Sequence, residues 1–356
     1  MEFAATVTLP ALMQQVLVGL SRTTILFIVA SGLSLVLGVL RIPNVAHGSL
    51  YMIGAFVTYT VATVFGQSAA GFFIALVVAP LVVALISFLV ERGLFCHLYE
   101  REHLMLLLFT FSFTLVFGDL VKLIWGSDYR SLTAPEFLQG AFSIQGMPFP
   151  RYNLFLLIIG PIVAAGLWFL TNRTKIGKIA RAAAVDREMV GAVGINVSWV
   201  FAAVFVIGCY LAGLGGALVA PTQNITQGMD HSIIIEAFLI VIIGGLGNIW
   251  GALLGALIFA TGLLATSLNM VLGFGGMYQF HHSVFYGFGA YTFALFAVRS
   301  GLPVWLGYLL APLSSALLGL VLGLLTIRLS KLYFGMLQIS LGSLVWAIVY
   351  RWYDFT

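Results

Sequence analysis

Residues Leu33–Thr58 read LSLVLGVLRIPNVAHGSLYMIGAFVT, and residues Leu268–Thr292 read LNMVLGFGGMYQFHHSVFYGFGAYT. Laid over one another, Gly38, His47, Gly54 and Ala55 fall on Gly273, His282, Gly289 and Ala290. Each copy places one polar position inside an apolar run punctuated by glycine. Many membrane carriers build two half-pathways from repeated units of this kind. The expected fold is therefore an all-α, polytopic transmembrane helix bundle with an internal repeat, and transport is the first function class to consider.

Composition agrees. Of the 356 residues, 61% are hydrophobic and 8% charged, and the mean hydropathy is +1.09. So few polar side chains cannot cover a soluble domain, whereas a bilayer suits them. The 16 Lys and Arg against 12 Asp and Glu leave a net charge of +4. That suits loop charge facing anionic lipid and is too sparse for a nucleic-acid surface. Cys96 and Cys209 have no partner at metal or redox spacing and are expected to be inert. No glycine-rich loop ends in Lys-Ser or Lys-Thr, so ATP binding falls to another chain, and no cofactor is expected. No Lys or Arg precedes Arg22, which argues against a cleaved signal peptide.

A helix crossing hydrocarbon needs about 20 apolar residues. About 10 runs qualify, near 23–40, 45–65, 70–90, 104–126, 152–172, 198–220, 250–272, 283–299, 303–327 and 332–350. Residues 232–247 end in GGLGN and suit a broken or re-entrant helix as well as a crossing. Arg173, Lys175, Lys178, Arg181 and Arg187 concentrate cations in one segment, which the positive-inside rule places in the cytoplasm. Counting back through the preceding runs puts Arg92, Arg101 and Arg41 on the same side and 126–151 outside. A re-entrant 232–247 makes the two repeats parallel, and a full crossing inverts the second. The parallel arrangement is the preferred reading.

Residues 174–199, TKIGKIARAAAVDREMVGAVGINVSW, are too polar to span and rich in helix formers. A short helix across the inner face is expected, either docking a soluble partner or lying as a solvated loop. This segment resembles the permease subunits of branched-chain amino acid ABC importers, as do GLSLVLGVLRIPNVAHGSLYMIGAFVTY and GMDHSIIIEAFLIVIIGGLGNIWGALLGAL. Residues 1–265 resemble a first permease unit nearly end to end. Residues 266–356 resemble the front part of a second, ending at a point equivalent to about residue 126 of the first and lacking a coupling segment. Leu253–Leu272 serves both as the last helix of one unit and the lead-in to the next.

In that family the coupling segment carries Glu-Ala-Ala, three residues, then Gly. Glu188 and Gly194 have this spacing here, with Met189 and Val190 in place of the alanines. The resemblance implies that Arg181, Asp186, Arg187, Glu188, Gly191, Gly194 and Asn196 dock on cytoplasmic ABC ATPase subunits. It further implies a periplasmic substrate-binding protein, a bacterial inner-membrane location, and a second permease subunit or second copy of the chain. Branched-chain amino acids are the implied substrates, with urea and other small amides as alternatives.

Candidate pathway or gate residues are Asn44, His47, Glu236, Gly244, Gly245, Gly247 and His282. His47 and His282 are expected at the cytoplasmic starts of equivalent helices, holding helices together or lining a gate. Asn44 is expected to cap the helix after Pro43. Glu236 lies in an apolar run where an unpaired carboxylate is costly, so it is functional, ion-paired to a neighbouring helix, or at the outer interface beside Asp230 and His231. Asp119 and Lys122 are expected to pair along one helix. Gly247, Gly251 and Gly255 recur at every fourth position, as do Gly208, Ala212 and Gly216, and read as close-packing faces. Gly244, Gly245 and Gly247 could instead open backbone groups to a substrate. Two other classes compete with an ABC permease. An ion-coupled carrier would need more intramembrane acids than Glu236, and an intramembrane enzyme would use His47 and His282.

Overall fold

The computed structural model describes residues 9–98, 103–144, 147–268, 288–289, 292–293, 295–296 and 304–326. Packing divides the chain into two units, Met1–Leu263 and Leu264–Thr356. Five helices among the described residues are long and apolar enough to cross a membrane, or six if one bent pair counts as a span. The expected spans 283–299 and 332–350 lie largely or wholly outside the described residues.

The first unit contains α1 (Leu9–Leu40), α2 (His47–Val64), α3 (Ala69–Gly93), α4 (His103–Trp125), α5 (Arg151–Arg173), α6 (Lys175–Val185), α7 (Arg187–Ala192), α8 (Val197–Val219), α9 (Met229–Gly244) and the greater part of α10 (Ile249–Leu268). A two-stranded antiparallel hairpin, β1 (Ala141–Ile144) and β2 (Met147–Pro150), leads into α5. Its neighbourhood defines one end of the bundle. There Arg130 bridges to Ile225 and the Gln227 amide donates to the Gly126 carbonyl at 2.8 Å.

The other end collects cations. Arg41 donates to the Ala184 carbonyl at 3.1 Å, and the Arg92 guanidinium lies 3.6 Å from the centre of the Trp199 ring. The structure thus brings Arg41, Arg92 and the polar segment 174–199 to one end, as their common sidedness requires.

Helix α8 packs against α1, α2 and α3, and glycine is what permits the approach. A Cβ on Gly32 would stand 2.5 Å from the Gly208 carbonyl oxygen, and one on Gly54 would stand 2.5 Å from that of Gly213. At Gly216 a Cβ would run into the Tyr51 carbonyl. Backbone-to-backbone contact of this kind substitutes for the hydrophobic drive that is missing between helices in lipid. Hydroxyls inside the bundle turn back on their own helices, as with Thr58 on Gly54 O and Ser87 on Val83 O, both at 2.7 Å. Those hydroxyls are then satisfied within the protein.

Two breaks depart from continuous spans. α1 ends at Leu40, Arg41 takes φ +58°, and the chain runs without helix until His47. His47 Nε2 lies 3.0 Å from the Val29 carbonyl, eleven residues back along α1. At 1.5 Å per residue that point is about 16 Å from the end of α1. α2 therefore starts at mid-depth. The expectation of His47 at a cytoplasmic helix start is overturned, because residues 42–46 climb back into the bundle before the helix can begin.

The second break separates α9 from α10, whose axes differ by 118°. The broken or re-entrant reading of residues 232–247 matches this geometry, and the turn is made by Gly245 at φ +86° and Gly247 at φ +73°. In the second unit α11 (Val304–Thr326) is described, together with helical residues at 288–289, 292–293 and 295–296. Gly289, the counterpart of Gly54, again sits at a close helix contact, 2.5 Å from Ser315 Oγ by its virtual Cβ.

Gly216→Val is expected to destabilise the bundle by about 1–3 kcal/mol through overpacking against α2. Gly118→Ala, with open space around its virtual Cβ, should be neutral or stabilising by up to about 1 kcal/mol. Thermal unfolding in detergent, followed by dye labelling of the buried Cys209 thiol, separates the two.

Candidate functional site

The polar segment at the cation-rich end is a chain of capped helices. Thr174 caps α6 by accepting from the Gly177 amide at 3.1 Å. Asp186 is extended, ends α6, and caps α7 by accepting from the Met189 amide at 2.9 Å. Asn196 caps α8 through the Trp199 amide at 3.4 Å. The single short helix expected here is therefore two helices with a joint at Asp186. An aspartate side chain competes for backbone N–H groups and restarts a helix in a new direction.

Each residue expected in this segment has a distinct place. Arg181 donates to Asn172 Oδ1 at 2.6 Å, tying α6 to the end of α5. The Arg187 guanidinium stands 5.8 Å from the Phe201 ring centre. Glu188 lies exposed in the first turn of α7, favourable for a carboxylate near a helix N-terminus. Gly194 takes φ +87° just beyond α7, and virtual Cβ atoms on Gly191 and Gly194 meet nothing. Ala180, Ala183 and Val190 face inward. Val185, Met189 and Val193 are 85%, 62% and 73% exposed, four residues apart. These three exposed apolar side chains, on α6, on α7 and just beyond it, are framed by charge at the cation-rich end of the unit.

Of the pathway candidates, Asn44, His47, Gly244, Gly245 and Gly247 sit at the two breaks, and Glu236 lies within α9. Asn44 and His47 are both fully buried. Asn44 does not cap α2: the N-cap is Ala46, without side-chain capping. The Asn44 amide nitrogen instead points to Cys209 Sγ at 4.0 Å, while its Oδ1 and His47 Nδ1 have no hydrogen-bond partner among the described residues. The capping reading fails because residues 42–46 are held from outside the segment. Thr110 of α4 does this, with its hydroxyl donating to the Pro43 carbonyl at 3.1 Å and lying 3.3 Å from the Val45 amide.

Asp230 is also buried and accepts from Ser49 Oγ at 3.2 Å. It is thus packed against the start of α2 and not placed at an interface. Glu236 is paired across helices with Arg22, Nη2 to Oε1 at 3.2 Å, which is the ion-pair reading. Asp119 and Lys122 do not form their expected pair.

Gly247 donates its amide to Ser34 Oγ at 3.0 Å and abuts Gly38. Gly251 and Gly255 pack back onto Gly244 and Ile240, so this stripe joins α9 to α10. His282 lies outside the described residues. Thr110, Ser34, Ser49 and Arg22 are the partners that sequence reasoning missed. Each is an ordinary residue in a helical run, and only the chain it meets gives it a role.

Two cavities flank these breaks. One of 320 Å³, at the cation-rich end, is bounded by Asn172, Arg181, Asn248 and Trp250. The other, of 430 Å³, lies toward the hairpin end, between the first halves of α1 and α5 and the last turn of α8, with Arg22 and Glu236 in its wall.

Comparison with known proteins accords with this architecture. The family model described as branched-chain amino acid transport system / permease component matches residues 15–262 and, separately, residues 259–353. The high-affinity branched-chain amino acid transport system permease protein BraD of Pseudomonas aeruginosa is 28% identical over 257 residues, 69% of this chain and 83% of the relative. The corresponding permease protein LivH of Escherichia coli K12 is 25% identical over 261 residues, with the same 69% and 83% coverage. A shorter match, 28% over 139 residues, is to the ribose import permease protein RbsC of Haemophilus influenzae, spanning 37% of this chain and 41% of that one. No solved structure matches. The chain belongs to the family of branched-chain amino acid transport permease components, and it is a multi-pass membrane protein.

Asp186→Ala should cost α7 about 1 kcal/mol and speed amide exchange across 187–192 about fivefold. Asp186→Ser should preserve the cap. Hydrogen–deuterium exchange in detergent micelles is the measurement.

Proposed function

We propose that this chain, as a member of that family, is the transmembrane permease component of an ATP-driven ABC importer for branched-chain amino acids in the bacterial inner membrane. The chain performs no covalent chemistry. A periplasmic binding protein delivers the amino acid, and cytoplasmic ATPase subunits supply the energy.

The exposed apolar side chains Val185, Met189 and Val193 carry the docking reading. Uncovered apolar groups on a charged, capped segment suit a solvated loop poorly and a ridge for a partner's cleft well. Arg181, Asp186, Arg187, Glu188, Gly191, Gly194 and Asn196 set the shape and charge of that ridge. Arg41 and Arg181 fasten α6 to the ends of α1 and α5. A push on α7 then reaches the helices whose break segments, 42–46 and 245–248, lie further in. Rocking of these helices, biased by nucleotide state, would expose a central site to one face and then the other. Asn44, His47 and the glycine turn are the proposed gate on this route, with His282 as the counterpart of His47.

The two separate matches of the family model support reading residues 1–265 as one permease unit and 266–356 as the front part of another. An assembly with two ATPase subunits calls for two docking segments, of which residues 174–199 would supply one, and a second permease or a second copy of the chain is the proposed source of the other.

Met189→Asp combined with Val193→Asp should abolish co-purification of the ATPase and leucine uptake, while detergent stability stays within about 0.5 kcal/mol because both sites are exposed. Retained ATPase binding would sink the docking assignment. A single cysteine at Val193, in a Cys96→Ser, Cys209→Ala background, should react with a membrane-impermeant maleimide in inverted vesicles and not in intact spheroplasts.

A further inference from the structure

The cavity at the hairpin end has a chemistry that the docking and gating roles do not use. Its 430 Å³ lies within the range of about 300–1,000 Å³ typical of small-molecule sites. One part of the wall carries the Arg22–Glu236 pair, joined by a single Nη2–Oε1 contact of 3.2 Å with the side chains 60% and 24% exposed. Among the described residues the contact leaves Glu236 Oε2 and most of the guanidinium N–H groups uncommitted. An ion pair this open contributes little to stability, so structural support is a weak reason for placing two charges there. Asn153 and Gln223 line the same space and make no hydrogen bond among the described residues. The rest of the wall mixes hydroxyl side chains, Tyr51 among them, with the branched apolar Ile25, Leu26, Leu156, Val219 and Ile233.

We infer that this cavity is an entry site for a zwitterionic α-amino acid with an aliphatic side chain. The Arg22 fork would take the carboxylate, for which its planar donors are matched. Glu236 would take the ammonium, and the apolar wall would take the side chain. The match is specific in charge. Protein pair and ligand are each neutral overall, so inserting a zwitterion leaves no buried charge without a partner, whereas an amine or an acid alone would strand one. Because Arg22 belongs to α1 and Glu236 to α9, the helix that leads into the Gly245–Gly247 turn, occupancy would bridge the two elements that meet again at Gly38 and Gly247. The site lies at the end of the unit opposite α6 and α7. This inference rests on the import reading proposed above and specifies where that substrate first contacts the chain.

The test is scintillation-proximity binding of tritiated leucine to the full-length chain in lipid nanodiscs, with leucine amide and 4-methylpentanoate as competitors. Wild type should prefer leucine at least tenfold over either competitor. Arg22→Gln should weaken leucine at least tenfold and erase the preference over leucine amide, and Glu236→Gln should erase the preference over 4-methylpentanoate. Ile233→Trp, which fills the cavity and keeps both charges, should weaken all three ligands alike and guards against a merely unfolded charge variant. Unchanged leucine binding in both Gln variants overturns the site and leaves the import reading standing. If cells carrying the chain with its ATPase and binding protein take up no leucine, the import reading falls, and the site falls with it.

Discussion

Inside hydrocarbon every backbone N–H and C=O needs a partner from the protein, and this requirement governs the two places where helix is interrupted. Residues 42–46 lie outside any helix, and the His47 that follows them meets the middle of α1 at the Val29 carbonyl. The Thr110 hydroxyl lies within hydrogen-bonding reach of both the Pro43 carbonyl and the Val45 amide. At the turn between α9 and α10 the exposed amide of Gly247 finds Ser34 on α1. Each break is tolerated because a single hydroxyl on a neighbouring continuous helix reaches it. Irregular backbone at depth is then held by defined contacts.

Close packing makes those contacts possible. Gly32 against Gly208, Gly54 against Gly213 and Gly38 against Gly247 bring main chains together at distances that no side chain would allow. α1 takes part in both breaks, meeting His47 at Val29 and the glycine turn at Gly38. Its inner end is tied by Arg41 to the carbonyl of Ala184, where α6 meets the Asp186 joint. A displacement at the polar segment thus has a continuous path of packed and hydrogen-bonded groups to both breaks. That path is a spatial relation, and coupling along it is what the docking variants measure.

Much of this was legible in the linear chain. Apolar runs of helical length, the cation cluster at 173–187 and the GGLGN string located the spans, the polar segment and the second break. Bilayer thickness, loop charge and glycine's backbone freedom all act on local stretches of sequence. Misreadings arose where a distant element decided. Asn44 sits where a cap would, but Cys209 and Thr110 define its surroundings. Asp230 looks interfacial by position and is buried against Ser49. Asp119 and Lys122 stand at pairing distance in sequence and remain apart. A single short helix was read where Asp186 divides two.

The sequence by itself determined the class of the protein: an apolar, helical, repeated chain with one polar segment, whose strings match a permease family. Those features follow from transfer free energies and helical period, which add up residue by residue. Only the tertiary structure decided that α2 begins at mid-depth, that Glu236 finds Arg22 across the bundle, and that a charged and apolar cavity forms between α1, α5, α8 and α9. These depend on which helices lie side by side. Adjacency is fixed by packing over the whole unit, and no local window of residues contains it.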